Sequence, residues 1–355
     1  MALPTPAEAA SGALLERRYR LDEVLSEAEG TRLWRGADTL VGELPVAIRA
    51  WWGLADEELA ALQQRLEQLK ALLHPQIPRL GEQLPVDGGC WQVREWINGR
   101  TYQDLLTARQ ERQLVFGSGE VLLLLRQLLS ALAALHGQNL VHGDLTPANL
   151  VRRDSDGLPV LIDFGLQAAV VGQPLTAATA GYAPPQARHE PYGLWMDLYS
   201  LGVVAIVLLS GEEPAALMDP VSLAWRWPEG IDLDAAFRQV LERLLSTSPE
   251  QRFHSAAEVA EALTALPVPE STGPVSRSDR TAVLLPQLKP EQPAEASPAS
   301  APTRPTRAER RRAPQGSTRR VPVLPAKSPT ALARSAPYDG WGSAMREEMQ
   351  ECVRG

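Results

Sequence analysis

Residues 141–165 read VHGDLTPANLVRRDSDGLPVLIDFG, and this stretch decides how the rest of the chain is read. Asp144 and Asn149 stand five positions apart, and Asp163-Phe164-Gly165 follows a short apolar run, Leu158 to Ile162, that reads as a strand. That is a spacing at which a base and two metal ligands are set around one triphosphate. A transferring phosphoryl group needs little covalent help but much charge compensation, so a metal ion must be held between fixed oxygens and the attacking hydroxyl must be aimed. On this reading Asp163 binds the metal, Asn149 binds a second metal, and Asp144 accepts or orients the hydroxyl proton.

Outward from this stretch, composition sets milder limits. The chain has 355 residues, enough for two or three average domains. Residues 1–266 carry 21 Lys/Arg against 34 Asp/Glu, whereas residues 267–355 carry 14 against 9, so an acidic body precedes a basic tail. Only Cys90 and Cys352 occur, so no disulfide framework is implied and a reducing cytoplasm is the default expectation. The N-terminus does not read as a signal peptide. The longest apolar run, near Leu198 to Leu209, contains Ser200 and is too short to cross a bilayer, so it reads as a buried helix.

The order of patterns predicts a small β-rich lobe followed by a larger helical one. Tyr19 to Trp34, Glu43 to Trp51, Leu80 to Pro85 and Cys90 to Trp96 read as strands, with Asp87-Gly88-Gly89 as a hairpin turn. Between them, Asp56 to Leu73 carries leucines at 59, 62, 66, 69, 72 and 73, a helical stripe that His74-Pro75 ends. After the hinge-like Glu95-Trp96-Ile97-Asn98-Gly99 helical patterns take over. Val121 to His136 is apolar on nearly all faces, which places it inside the second lobe.

From about Pro267 the composition changes. Fourteen of the 30 prolines fall beyond this point, among Ala, Ser, Thr and Arg, and no apolar period survives. Such a segment buries too little surface to offset its ordering entropy and is expected to be a disordered tail. Arg304 to Arg320 holds seven arginines and one acid, Glu309, a block suited to acidic protein, an anionic membrane surface or nucleic acid, or simply to a solubilising linker. Thr281, Thr303, Thr306 and Thr318 lie beside arginines as candidate self-phosphorylation positions. Trp341, Met345, Met349 and Cys352 share one helical face, consistent with a short docking helix or a frayed end.

Residues 19–266 resemble the bacterial serine/threonine (Hanks-type) protein kinase family. The resemblance rests on the opening stretch together with Asp197-Leu-Tyr-Ser-Leu-Gly202, Thr179-Ala-Gly-Tyr-Ala-Pro-Pro185 and Pro249-Glu-Gln-Arg-Phe253, in this order. It implies an α+β, two-lobed protein-kinase-like fold. The lobes would run from about 19 to 95 and from 96 to 266, after an N-terminal extension at 1–18. It further implies ATP with magnesium, or manganese, as cofactor and a protein substrate or partner. Asp197 would brace the catalytic-loop backbone, and Arg252 would pair with an acid that Gln186 replaces here.

Departures from the family cluster where phosphates are gripped. Leu25 to Leu33 aligns with the glycine-rich loop, yet Ser26, Ala28 and Thr31 occupy the three glycine positions, and Gly30 alone cannot supply their backbone freedom. A poorer phosphate lid is expected there. The resemblance places Ser26, Ala28, Thr31, Leu33, Ala47, Arg49 and hinge Glu95 around the nucleotide. In Val46-Ala47-Ile48-Arg49 an arginine stands where the family has lysine, a swap that is not conservative at such a site. The partner position on the following helix is Arg65 instead of Glu, and Glu58 and Glu67 lie too far along or around that helix to take its place. Arg94 guards the back of the adenine pocket. Arg49, Arg65 and Arg94 would then converge on one cavity, where an acid or an anion must offset them unless one or two face solvent. Arg32 is a weaker stand-in for the lost lysine, because strand alternation relative to Leu33 turns it away. Gly143 stands where many relatives have Arg, and Thr146 where they have Lys; Thr176 and Thr179 are the hydroxyls between Asp163 and Tyr182.

Three functions follow: a specialised kinase using Asp144, Asn149 and Asp163; a pseudokinase that holds nucleotide as a regulatory or scaffolding module; and a small-molecule phosphotransferase. The helical-lobe marks at Asp197, Gly202 and Arg252 weigh against the last.

Overall fold

The structure, a computed structural model, describes residues 3–164, 181–188, 190, 192–219, 222, 224–227, 231, 233–267 and 273–276. All belong to one compact unit, Met1–Gln287. Gly165, Thr176 and Thr179, the arginine block, the tail threonines and the Trp341 face lie outside the described residues.

The small lobe is a six-stranded antiparallel sheet. Its order is β1 (Leu14–Leu15), β2 (Tyr19–Ala28), β3 (Thr31–Asp38), β4 (Leu44–Trp52), β6 (Gly89–Glu95) and β5 (Leu80–Val86). Side chains alternate across it. Val46, Ile48 and Ala50 turn to the outer face, where they pack with Trp34, Trp91 and Val93 under Ala9, Leu15 and Leu21. Within the N-terminal extension, Leu3, Ala9, Ala13 and Leu15 pack on this lobe and cover a sheet face that would otherwise meet water. On the inner face Trp51 packs with Leu62, Leu66 and Leu69 of helix α1 (Asp56–Ala71), the buried edge of the predicted leucine stripe. The helix stops at Ala71, short of His74-Pro75, as the residue before a proline disfavours the α region.

The large lobe contains α2 (Tyr102–Gln110), α3 (Ser118–Gly137), α4 (Leu194–Ser210), α5 (Pro214–Leu217), α6 (Ala235–Leu244) and α7 (Ala256–Thr264). Helix α4 is buried at every position from Met196 to Ser210, which explains its lack of a polar stripe. Helix α3 is long and apolar enough to cross a bilayer by composition, and ten of its residues are buried in the protein's own core. Each such leucine contributes roughly 1.5–3 kcal/mol by leaving water. A three-stranded sheet, β10 (Pro159–Leu161), β9 (Leu150–Arg153) and β7 (Gly99–Thr101), holds the deciding stretch between them. A further pair joins β8 (Leu114–Val115) to β11 (Val275–Ser276). Val275 and Ser276, within the proline-rich segment, thus pair locally with β8, while residues 277–355 lie outside the described residues.

Candidate active site

The inner face of the small lobe carries the unusual charges. Leu33 lies directly across from Arg49, and Ala47 across from Arg94, so all four share that face. Leu33 and Ala47 are buried. Arg94 Nη2 donates to Asp163 Oδ1 at 2.6 Å, and Arg49 Nη2 stands 3.1 Å from the same oxygen. The three side chains are 13%, 22% and 17% exposed, so the triad is largely out of water. Burial pushes the Asp163 carboxyl up, but Arg94 and Arg49 together outweigh it and hold its pKa below the usual carboxylate range. Asp163 is the acid that the arginine cluster required. Arg94 also reaches toward the Glu95 carbonyl, at 3.4 Å, while the Glu95 amide donates to the Arg79 carbonyl at 2.9 Å.

Arg65 does not join them at Asp163. It is half-buried, burial lowers its pKa, and the charge opposing that effect comes from Asp197. Glu58 accepts from the Ala55 amide at the start of α1, at 2.9 Å, and Glu67 accepts from Gln83 at 2.7 Å. Glu58 and Glu67 are thus engaged away from Arg49.

The catalytic stretch is held from below by helix α4. Asp197, fully buried, accepts from the His142 amide at 2.7 Å, the Gly143 amide at 2.9 Å and His136 Nε2 at 3.0 Å. Gly143 has φ +76°, a conformation that glycine adopts without strain. The buried His142 ring donates from Nε2 to the Ile162 carbonyl at 3.1 Å and accepts the Asp144 amide at Nδ1 at 3.3 Å, an assignment that follows from its two partners. Burial holds its pKa below the ordinary histidine value. Its ring lies 4.8 Å from that of Phe164.

These bonds bring Asp144 and Asn149 together. Asn149 Nδ2 donates both to the Asp144 carbonyl and to its carboxylate Oδ2, each at 2.8 Å. Among the described residues, Asp144 Oδ1 is buried without a hydrogen-bond partner. Burial raises the Asp144 pKa to about 6, against the opposing hydrogen bond from Asn149. Asp163 has φ +53°, a sparsely populated conformation for a non-glycine residue that costs about 1–3 kcal/mol. The paired arginines and the bond from the Ile162 amide to the Asn149 carbonyl, 2.9 Å, hold it there.

The expected lid is a paired hairpin. Ser26 opposes Leu33, Glu27 opposes Arg32 and Ala28 opposes Thr31, with Gly30 taking the positive φ of the turn. Ser26 and Ala28 are exposed, whereas the Thr31 hydroxyl is buried and donates to the Ala50 carbonyl at 2.9 Å, a structural use of that side chain. Arg32 faces the outer side, as alternation required. It pairs with Glu27, donates to the Ala9 carbonyl at 3.2 Å and lies over the rings of Trp34 and Trp52. Arg252 has exchanged its acid for an aromatic face, its guanidinium lying 3.8 Å from the Trp195 ring centre. No feature of the sequence alone pointed to that partner.

A divalent ion fits this arrangement poorly. Magnesium demands near-octahedral oxygen ligands at about 2.0–2.1 Å, yet the Asp163 carboxylate is already shared by two guanidiniums. Among the described residues no group of three or more His, Cys, Asp or Glu side chains is placed to hold a metal ion.

Comparison with known proteins agrees with the architecture. The protein kinase domain family model matches residues 54–263, beginning just past the strand that carries Arg49. The chain is 33% identical over 221 residues to the serine/threonine-protein kinase PknA of Nostoc sp., covering 57% of this chain and 38% of that protein. It is 30% identical over 275 residues to serine/threonine-protein kinase C of Synechocystis sp., covering 70% and 50%. The chain therefore spans half or less of these relatives' length. Among solved structures, the kinase domain of Mycobacterium tuberculosis PknI superposes with a TM-score of 0.56 at 25% identity, over 72% of this chain and 98% of that one. PpkA-294 in its apo form gives 0.57 at 21% identity, over 72% and 99%. With the family model covering more than half its length and bacterial serine/threonine kinases among its relatives, the chain belongs to the Hanks-type protein kinase family.

Proposed function

We propose that this chain is a kinase-fold module that binds a nucleoside triphosphate between its lobes and whose phosphoryl transfer is severely impaired, so that it acts chiefly by engaging a protein partner. Protein kinases as a family use ATP and magnesium and act on proteins. The observation that carries the reading is the sharing of Asp163 Oδ1 by Arg94 and Arg49. It occupies inside the protein the carboxylate that the resemblance assigns to the metal. The paired hairpin at Ser26, Ala28 and Thr31 supports the same reading, because few of its amides are free to approach phosphates.

A second reading, a slow serine/threonine kinase, is favoured by one feature. Asp144 and Asn149 keep their contact, and Asp144 Oδ1 lacks a partner among the described residues, so a substrate hydroxyl has a base to meet.

One experiment decides between them. The protein is incubated with labelled ATP, magnesium and a general acceptor protein, beside Asp144→Asn. Nucleotide-dependent thermal stabilisation without transfer is expected. Transfer that disappears in the variant establishes the slow enzyme, and the absence of both transfer and stabilisation refutes nucleotide binding.

A further inference from the structure

We propose that the cleft takes the polyphosphate of a nucleoside triphosphate as a free anion, with Arg49 and Arg94 supplying the positive charge that a divalent ion would otherwise bring. This rests on the reading of the cleft as a nucleotide site and specifies the form of nucleotide it prefers.

The geometry comes from two neighbouring strands. Arg49 on β4 and Arg94 on β6 share one sheet face and converge on a single carboxylate oxygen, at 3.1 and 2.6 Å. Two guanidiniums held within reach of one oxygen form a preorganised anion clamp, and their planar forks suit phosphate oxygens better than a lysine does. At present Asp163 fills that clamp. An incoming polyphosphate carries more negative charge than one carboxylate and several more acceptor oxygens, so it can compete for both arginines.

Asp163 pairs with Arg49 and Arg94, and Asp144 feels the charge of Arg49, so the set is almost neutral before any ligand arrives and the preference must come from the paired guanidinium forks. A free triphosphate that displaces Asp163 gains both of them. A divalent cation meets the same two cations as repulsion, in a site shielded from water where such terms are weakly screened. It must also take Asp163 from partners already at bonding distance. Among the described residues of the inner face, Ala47 and Leu33 are apolar, and the carboxylates of Glu58 and Glu67 on α1 are engaged elsewhere.

The test is calorimetric titration of the full chain with ATP in EDTA and again in excess magnesium, with inorganic tripolyphosphate in EDTA as a competitor. Affinity in EDTA equal to or above that in magnesium, with competition by tripolyphosphate, is expected. Arg94→Met and Arg49→Met should each weaken binding in EDTA by about tenfold or more. Far-UV circular dichroism of each variant confirms that it folds, and Arg94→Lys, which keeps the charge without the fork, should retain part of the affinity. Weaker binding in EDTA than in magnesium overturns the inference and leaves the nucleotide reading standing. Failure of both methionine variants to weaken binding in EDTA overturns the role of the arginines. No uptake under either condition refutes the nucleotide reading itself.

Discussion

Asp163→Asn is the substitution whose sign separates this cleft from one that keeps its carboxylate ready for a metal. In the wild-type protein Asp163 faces two guanidiniums with contacts of 2.6 and 3.1 Å. With charge centres about 4 Å apart and an effective dielectric near 20, each attraction is about 4 kcal/mol. Desolvation of the three ions and rotation of the arginines toward water offset much of that sum. Removing one member of such a largely buried set and stranding the others typically leaves a net loss of about 3–5 kcal/mol. At 22% exposure Arg49 can relax partway into solvent, which brings the expectation to about 2–4 kcal/mol. For a folded unit of this size that corresponds to a fall in Tm of about 5–10 °C. The assay is thermal unfolding in EDTA without nucleotide, at low and high salt, and the drop should change little with salt because the site is sheltered. A carboxylate standing alone in the same pocket would behave oppositely, since deleting a buried, unpaired charge leaves stability unchanged or raises it. The double variant Asp163→Asn with Arg94→Met should recover part of the loss, and a cycle over the four proteins should give a coupling of about 1–3 kcal/mol. An unchanged or higher Tm for Asp163→Asn alone refutes the pairing.

Further outcomes follow from other sites. Asp144 holds its proton up to about pH 6 in the folded protein against 3.8 for the free side chain. Between those values the folded state binds more protons than the unfolded one. Stability therefore falls as pH rises through this window and stays lower above it, by up to about 3 kcal/mol. Urea unfolding of Asp144→Asn should lack this decline, and an identical pH profile in wild type and variant would remove the assignment. In Gly202→Ala the new Cβ would lie 2.9 Å from Leu244 Cβ and 3.2 Å from Leu245 Cδ2, so urea unfolding should show a loss of about 1–3 kcal/mol. Arg252→Met and Trp195→Leu, combined in a double-mutant cycle, should couple by about 0.5–2 kcal/mol, and additive effects would mean that the stacked contact contributes nothing.

Much of this architecture was legible because its causes are local. The leucine stripe of α1, the all-round apolar character of α3 and α4, and the period-two strands each reflect one-sided or complete burial, which leaves a direct trace in sequence. The outward turn of Arg32 followed from alternation alone. Long-range pairing left no such trace. Arg94 and Asp163 are 69 positions apart, and nothing in either segment says which of several acids will answer the arginines. The three arginines looked equivalent on a helix-and-strand count, yet Arg65 on α1 falls under the influence of Asp197 while the two strand arginines meet at Asp163. The roles of Ala9 and Leu15 beneath the outer sheet face, of Trp195 under Arg252 and of the strand at Val275–Ser276 were likewise hidden, because each depends on where a distant segment returns.

The substitutions in the cleft make sense jointly more than singly. Arginine at position 49 with no acid facing it from α1 would be a partly buried cation in need of an anion, and Arg94 would double the demand. Asp163 meets both, and its own strained backbone, φ +53°, is held partly by the two bonds that the arginines provide. Any ligand that draws the arginines off Asp163 also weakens that support. The carboxylate, the strand ending at Leu161 and the His142–Ile162 bond beside it are then free to readjust together. In such a cleft occupancy by an anion and a change of shape at Asp163-Phe164 are linked by the same two hydrogen-bonding side chains. On the proposed reading, that linkage is what lets anion binding change the conformation of the cleft.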